Sequence, residues 1–127
     1  MTAIWSEDQP IYRQLRDRIV SSILDGSLKE GEALPSVRNV AMDMQINPIT
    51  ASKAYQELVA EGLVEKKRGL GMFIMDGAQD RLRQAEQRKF LEEEWPRIVE
   101  RIHAMGLDVA ELLAAAKPKN NGGGDAS

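Results

Sequence analysis

The chain has 127 residues, 43% of them hydrophobic and 29% charged, which is enough for one small domain with an appendage and too little for two full-sized folds. It contains no cysteine and a single histidine, so thiol nucleophiles, zinc-finger spacings and most routes to a Ser-His-Asp arrangement are removed, and neither an enzyme nor a cofactor or metal site is expected. Its 17 basic residues stand against 20 acidic ones, a net charge of −3, so any surface for nucleic acid or anionic lipid has to come from local clustering.

Helical period begins at Pro10, where a first helical position tolerates the missing N–H. Ile11, Leu15, Ile19 and Ile23 fall four apart, with Val20 and Leu24 widening the stripe, and Gly26 ends the helix. Residues 27–35 then read as a connector, too short for a helix, whose leucines tuck against the core. Ser36 is a good N-cap for a short helix from about Val37 to about Met44, on the spacing of Val37, Val40, Ala41 and Met44. Gln45 and Ile46 make a tight turn. Asn47 caps a third helix with Pro48 at its first position, buried through Ala51, Ala54, Tyr55 and Leu58 and ended by Gly62. Two short helices joined by a few residues form a helix-turn-helix. Residues 63–67 and 72–75 are β-prone runs separated by Arg68-Gly69-Leu70-Gly71, a glycine turn that predicts a hairpin. The expectation is a mainly α fold with a small β-hairpin: a winged helix-turn-helix over residues 6–76.

Residues 77–117 are different, and predict a helical dimerisation region. Leu91, Trp95, Ile98, Ile102 and Met105 alternate four and three apart, a seam that wants a partner helix. Leu82 precedes it out of phase and Leu112 follows it; both join the candidate dimer interface. Pro96 interrupts the seam, and a kink is the favoured outcome over a new helix. Asp108 and Glu111 resemble a capping box for a last helix through about Ala116, stopped by Pro118. Residues 118–127, with their run of glycines, are expected to form a flexible tail.

A helix-turn-helix places the start of its second helix in the major groove of DNA. The non-core positions there are Asn47, Pro48, Ile49, Thr50, Ser52 and Lys53. Thr50 and Ser52 suit a base edge or a phosphate, Ile49 a thymine methyl, and Lys53 a phosphate or guanine. Arg38 is the one arginine near this surface. Lys66, Lys67 and Arg68 lead into the hairpin glycines Gly69 and Gly71, whose backbone can approach a phosphate or enter the minor groove. Each feature has an ordinary alternative. A cationic triplet is usually a solvated turn, Ile49 fits core or groove, and Trp5, Trp95 and the methionines suit packing. His103 lies among charged residues and is given no role. The joint order of these features favours DNA.

That order resembles the winged-helix N-terminal domain of GntR-family transcriptional regulators, and among them the short YtrA-type subfamily. The similarity rests on Pro10-Ile11-Tyr12-Arg13-Gln14, Gly26-Ser27-Leu28-Lys29-Glu30-Gly31, Leu34-Pro35-Ser36-Val37-Arg38, Asn47-Pro48-Ile49-Thr50-Ala51-Ser52-Lys53-Ala54-Tyr55, Glu61-Gly62-Leu63-Val64 and Arg68-Gly69-Leu70-Gly71-Met72-Phe73-Ile74. The resemblance implies a homodimeric repressor on an inverted repeat, with Arg38, Asn47, Pro48, Ile49, Thr50 and Ser52 at DNA-contact positions and Gly69 and Gly71 at the wing tip. It also implies a helical dimerisation region in place of the large effector domain of longer members, and control of transporter genes. Three positions depart from the pattern. Gln45 replaces a usual glycine, which implies a different turn backbone; Leu70 replaces a usual lysine or arginine; Ile49 replaces a usual polar residue.

The reading is therefore a dimeric DNA-binding regulator whose partners are double-stranded DNA and a second copy of itself. The competing class is a winged-helix protein-protein interaction module. A small-molecule effector would need a pocket that is small or shared between subunits. No apolar stretch approaches the roughly 20 residues of a membrane span, and residues 1–9 lack the order of a secretory signal, so a cytoplasmic protein with no membrane partner is expected.

Overall fold

A computed structural model of the chain describes residues 5–116. The elements are α1 (Ile11–Leu24), α2 (Val37–Met44), α3 (Pro48–Ala60), β1 (Val64–Lys67), β2 (Gly71–Ile74), α4 (Ala78–Lys89), a π-helical turn (Phe90–Glu94), α5 (Trp95–Ala104) and α6 (Val109–Ala115). The tail expected at 118–127, and Pro118 as the last stop, lie outside the described residues. The chain divides into two compact units after Ala85.

The first unit is a winged helix-turn-helix. Its core takes Leu15, Ile19, Val20 and Ile23 from α1, and Ala51, Ala54, Tyr55 and Leu58 from α3, with Leu63, Val64 and Ile74 from the hairpin. These are the apolar faces that the helical spacing predicts, and their removal from water is the main force holding the unit together. Among the described residues Gln14 is the buried polar one. Its Nε2 donates to the carbonyls of Ser6 (2.7 Å) and Gln9 (2.6 Å), and its Oε1 accepts from the Ser6 N–H at 2.8 Å. A buried amide has to be satisfied in this way, and here the satisfaction pins residues 5–10 onto α1. Trp5 consequently packs on the core, with the Arg18 guanidinium 4.2 Å from its ring centre. On the other side, Arg16 grips Glu61 through two guanidinium nitrogens, joining α1 to the end of α3.

Residues 27–35 do more than connect. Ala33 forms a β-bridge with Phe73, and Gly31 N–H to Ile74 O (2.8 Å), Ile74 N–H to Glu32 O (2.9 Å) and Leu34 N–H to Met72 O (2.8 Å) zip the segment along β2. It acts as a third strand beside the antiparallel hairpin, whose register pairs Val64 with Ile74 and Lys67 with Gly71. Leu34 is buried beneath it and Leu28 packs partly on the core.

Two expectations about the following segment are corrected. The first unit runs past Asp76 to Ala85, because Ala78 and Leu82 on α4 are buried in its core. Leu82 is 9% exposed; it is spent on that core and leaves the pairing surface. The Gly77 backbone, at φ 83°, starts α4 in a direction that lets Gln79 Nε2 donate to Leu24 O (3.0 Å) and Arg81 Nη1 to Gly62 O (3.0 Å).

In the second unit the π-helical turn ends immediately before Trp95 and Pro96, and the Trp95 N–H bonds the carbonyl of Phe90, five residues back. Proline crowds the carbonyl four residues earlier and supplies no N–H. A wider π turn accommodates both defects and sets Pro96 in the first turn of α5, where proline is tolerated. Asp108 stands at the N-cap position of α6, but its side chain makes no capping hydrogen bond, so the expected capping box does not form. None of residues 86–116 is buried.

Candidate nucleic-acid interface

Ser36 and Asn47 hold the two helices of the motif at their starts. Ser36 Oγ accepts from Asn39 N–H at 3.0 Å, and Asn47 Oδ1 accepts from Ile49 N–H at 2.8 Å. Each satisfies an N–H that the helix cannot. The turn between them contains Gln45 at φ 56°, ψ 51°, the left-handed region that glycine occupies at helix ends. Glutamine here holds a backbone conformation that a residue with a Cβ adopts only under strain. Tyr55 completes the frame: its hydroxyl donates to the Pro35 carbonyl at 2.7 Å, tying α3 to the chain entering α2. Burial raises its phenol to a pKa of about 12.

At the start of α3, Ile49 is 77% exposed, which settles the alternative left open by spacing: it is not core. Thr50 and Ser52 are half-buried and Lys53 is exposed. Lys53 Nζ rests 4.3 Å from the ring centre of Tyr12, a cation–π contact that steadies the ammonium without neutralising it. Gln56 Nε2 donates to Ser52 Oγ at 3.3 Å. Arg38 is exposed on the first turn of α2 and makes no hydrogen bond, ion pair or ring contact among the described residues.

The wing turn is Arg68-Gly69-Leu70, closed by a hydrogen bond from Leu70 N–H to Lys67 O at 2.8 Å. Gly69 and Gly71 have φ of 77° and 118°, conformations that a side chain would strain. Lys66 and Arg68 are exposed and, like Arg38, have no partner among the described residues. Lys67 lies 4.0 Å from the Glu65 carboxylate and 4.8 Å from the Phe73 ring centre.

A groove of about 590 Å³ runs between the start of α2, α3 and the wing, lined in part by Ser36, Ser52, Val59, Lys66, Leu70 and Met72. It brings two of the sequence-predicted regions, α3 and the wing, to one side of the unit. A second depression, of about 420 Å³, joins Pro10, Ile11 and Tyr12 to Ile49, Thr50 and Lys53. Sequence reasoning missed that the start of α1 belongs to this surface, since Ile11 fits the core stripe and Tyr12 carries no charge. Gln56 and Ser36 were missed as well, and the only signal for them is their spacing from Ser52 and Arg38.

The remaining seam residues belong to the second unit. Leu91, Ile98, Met105 and Leu112 are exposed, as are Phe90, Leu107 and Leu113, which the heptad-like spacing does not include. Trp95 and Ile102 are half-buried, and Trp95 tilts against Phe90 with ring centres 6.2 Å apart. Among the described residues no cluster of His, Asp or Glu could hold a metal, and no helix is long and apolar enough to cross a membrane.

Residues 11–74 match the family model for bacterial regulatory proteins of the gntR family. Over 121 residues the chain is 34% identical to YhcF of Bacillus subtilis, an uncharacterized HTH-type transcriptional regulator, covering 94% of this chain and 97% of that protein. It is 35% identical over 103 residues to the HTH-type transcriptional repressor YtrA of the same organism, covering 81% and 78%. A crystal structure of a transcriptional regulator from Oenococcus oeni superposes with a TM-score of 0.72 at 28% identity, covering 88% of this chain and 92% of the other. With its hairpin, its two capped helices and a matched span that runs from α1 to the end of β2, the chain belongs to the GntR family of DNA-binding bacterial transcriptional regulators.

Proposed function

We propose that this regulator is a homodimeric repressor that occupies an inverted-repeat operator in the cytoplasm, each subunit reading one half-site. The observation that carries this reading is the groove between α2, α3 and the wing, lined in part by Ser52 and by Lys66, partnerless among the described residues, with Arg38, Ile49, Lys53 and Arg68 exposed on those same elements. Arg38, Ile49, Thr50 and Ser52 take the base edges and nearby phosphates. Lys53, Lys67, Arg68 and Lys66 take phosphates, and Asn47, Pro48, Gly69 and Gly71 set the backbone that presents them. Lys53, Lys66 and Arg68, which no carboxylate among the described residues holds, are free to displace counterions from DNA, whereas Lys67 exchanges its contact with Glu65 for one with phosphate. The repressor sign follows the similarity to YtrA, and transporter genes are the regulated class that the YtrA-type resemblance implies.

Pairing is assigned to Leu91, Trp95, Ile98, Ile102, Met105 and Leu112, with Phe90 added by its exposure beside Trp95. Apolar side chains on helices that bury nothing within their own unit are explained by a second copy. Selection of bound duplexes from a random library by the full-length protein, followed by anisotropy titration at several salt concentrations, tests the whole reading. An enriched palindrome whose affinity falls steeply with salt is expected. An enriched single half-site would remove the dimer, and the absence of enrichment from a folded dimer would favour a regulator that needs an effector, then a protein-docking module.

A further inference from the structure

We propose that Leu70 is an apolar minor-groove probe that makes the regulator prefer A·T pairs where the wing meets DNA. The inference rests on the DNA-binding reading and concerns a residue to which that reading assigns nothing.

Leu70 is 72% exposed at the wing tip, whereas Leu63, Val64 and Ile74 at the base of the same hairpin are each 1% exposed. The hairpin thus has its core contribution complete without Leu70. On either side stand Gly69 and Gly71, and an added Cβ at either would meet nothing within 4 Å, so the ribbon is bare on both sides of Leu70, which stands at the mouth of the groove between α3 and the wing. Directly before it come Lys66, Lys67 and Arg68. Such a tip has cations on its incoming strand to sit against phosphates and an apolar finger beyond them, which is the build of side chains that enter the minor groove.

The finger would discriminate by what it lacks. Leucine has no hydrogen-bonding group. The minor-groove floor of a G·C pair carries the guanine N2 amino donor, and that of an A·T pair carries none. Leucine pressed onto the amino group covers a donor and offers it no acceptor, whereas over A·T it meets an unobstructed floor and the apolar walls of the deoxyriboses. Desolvating a donor without replacing its partner is unfavourable. A lysine or arginine at this position would act through charge, with a salt-dependent contribution and weaker dependence on the amino group.

The test uses the full-length protein and its selected operator, with the pairs under the wing set to A·T, to G·C, to inosine·C, which removes only the N2 amino group, or to diaminopurine·T, which adds it. Wild type should bind A·T and inosine·C alike and G·C and diaminopurine·T about tenfold more weakly, the scale of one mismatched pair. Leu70→Ala should bind all four within about twofold with an unchanged salt slope, since no phosphate contact is lost. Leu70→Lys should likewise lose the preference while steepening the slope. Equal binding of all four duplexes by wild type overturns the proposal, as does a preference that survives in Leu70→Ala or follows the pyrimidine-purine step rather than the amino group. In either case the DNA-binding reading stands. Absence of any selected operator removes that reading, and this proposal with it.

Discussion

Helices α1 and α5 carry similar apolar stripes and meet opposite fates. In α1, Leu15, Ile19 and Ile23 are buried against α3 and the hairpin, whereas in α5 Ile98 is exposed and no residue is buried. The contrast shows that a stripe of given spacing reports only a need for cover. The first unit supplies that cover from its own chain; the second buries none of its described residues, and the proposed pairing would cover them. Stability of the first unit should therefore be intrinsic, and that of the second should depend on protein concentration.

The largest expected effect comes from breaking the seam. Leu91→Asp with Ile98→Asp places charges where two copies would meet, and burying unpaired carboxylates is strongly unfavourable. Sedimentation should show monomers, and operator affinity should fall roughly 10²- to 10⁴-fold as the two half-sites lose their linkage, while the first unit keeps its fold and its salt-dependent half-site binding. A dimer that persists would move the pairing surface to the exposed apolar residues outside it, Leu107 and Leu113.

Arg38→Ala addresses the first unit's face without touching its core. Specific affinity should fall by about 1–3 kcal/mol if the guanidinium reads guanine, with relaxed preference at one position of each half-site. A phosphate contact alone would instead weaken all sequences equally and lower the salt slope. Titrations of the selected operator and a scrambled duplex separate the two, and unchanged binding to both would remove Arg38 from the surface. Neither outcome should alter sedimentation.

The same contrast explains how much was legible in the sequence. Helical period and caps act over four residues, so Ser36, Asn47 and the buried face of α3 could be read directly. The β-bridge at Ala33 could not: one bridge with no alternation looks like a loop, and only β2, far along the chain, reveals it. Leu82 was misplaced for a related reason, since the backbone direction at Gly77 decides whether it joins the core or the seam. At the interface, the cations were plain from residue type. The Tyr12 ring beneath Lys53 and the bare tip carrying Leu70 depend on long-range placement and burial, which spacing does not encode.

Tyr55→Phe sharpens the comparison from inside the first unit. Loss of the hydroxyl leaves the Pro35 carbonyl without its 2.7 Å donor, at a cost of about 1 kcal/mol. The pH dependence carries a second signature. Burial raises the folded phenol to about 12 from an ordinary 10.0, so the folded state retains a proton that the unfolded chain releases. That stabilisation is complete below pH 10 and is lost as pH rises through about 12. Denaturant midpoints of wild type should fall over this window more steeply than those of the phenylalanine variant. Parallel curves would mean that the hydroxyl is solvated in the fold.

The smallest effect expected is a gain. Gln45 holds a left-handed backbone at φ 56°, which disfavours any residue with a Cβ by about 1–2 kcal/mol relative to the right-handed region. Glycine there relieves the strain but has more freedom to lose on folding, so Gln45→Gly should stabilise the first unit by a net of about 0.5–1 kcal/mol. The gain should show in thermal unfolding of that unit and leave the monomer–dimer equilibrium unmoved, because the turn contributes no residue to the proposed pairing stripe. A loss of stability would mean that the glutamine side chain holds the turn by contacts worth more than the strain. The turn sets the angle at which α3 leaves α2, so operator affinity measured on the same variant tells whether strain there is merely tolerated or keeps the helices at their DNA-binding angle. Tighter folding with unchanged affinity would show tolerance. Tighter folding with weakened affinity would show that a stiff, strained residue keeps the helix-turn-helix in register in a way that glycine does not.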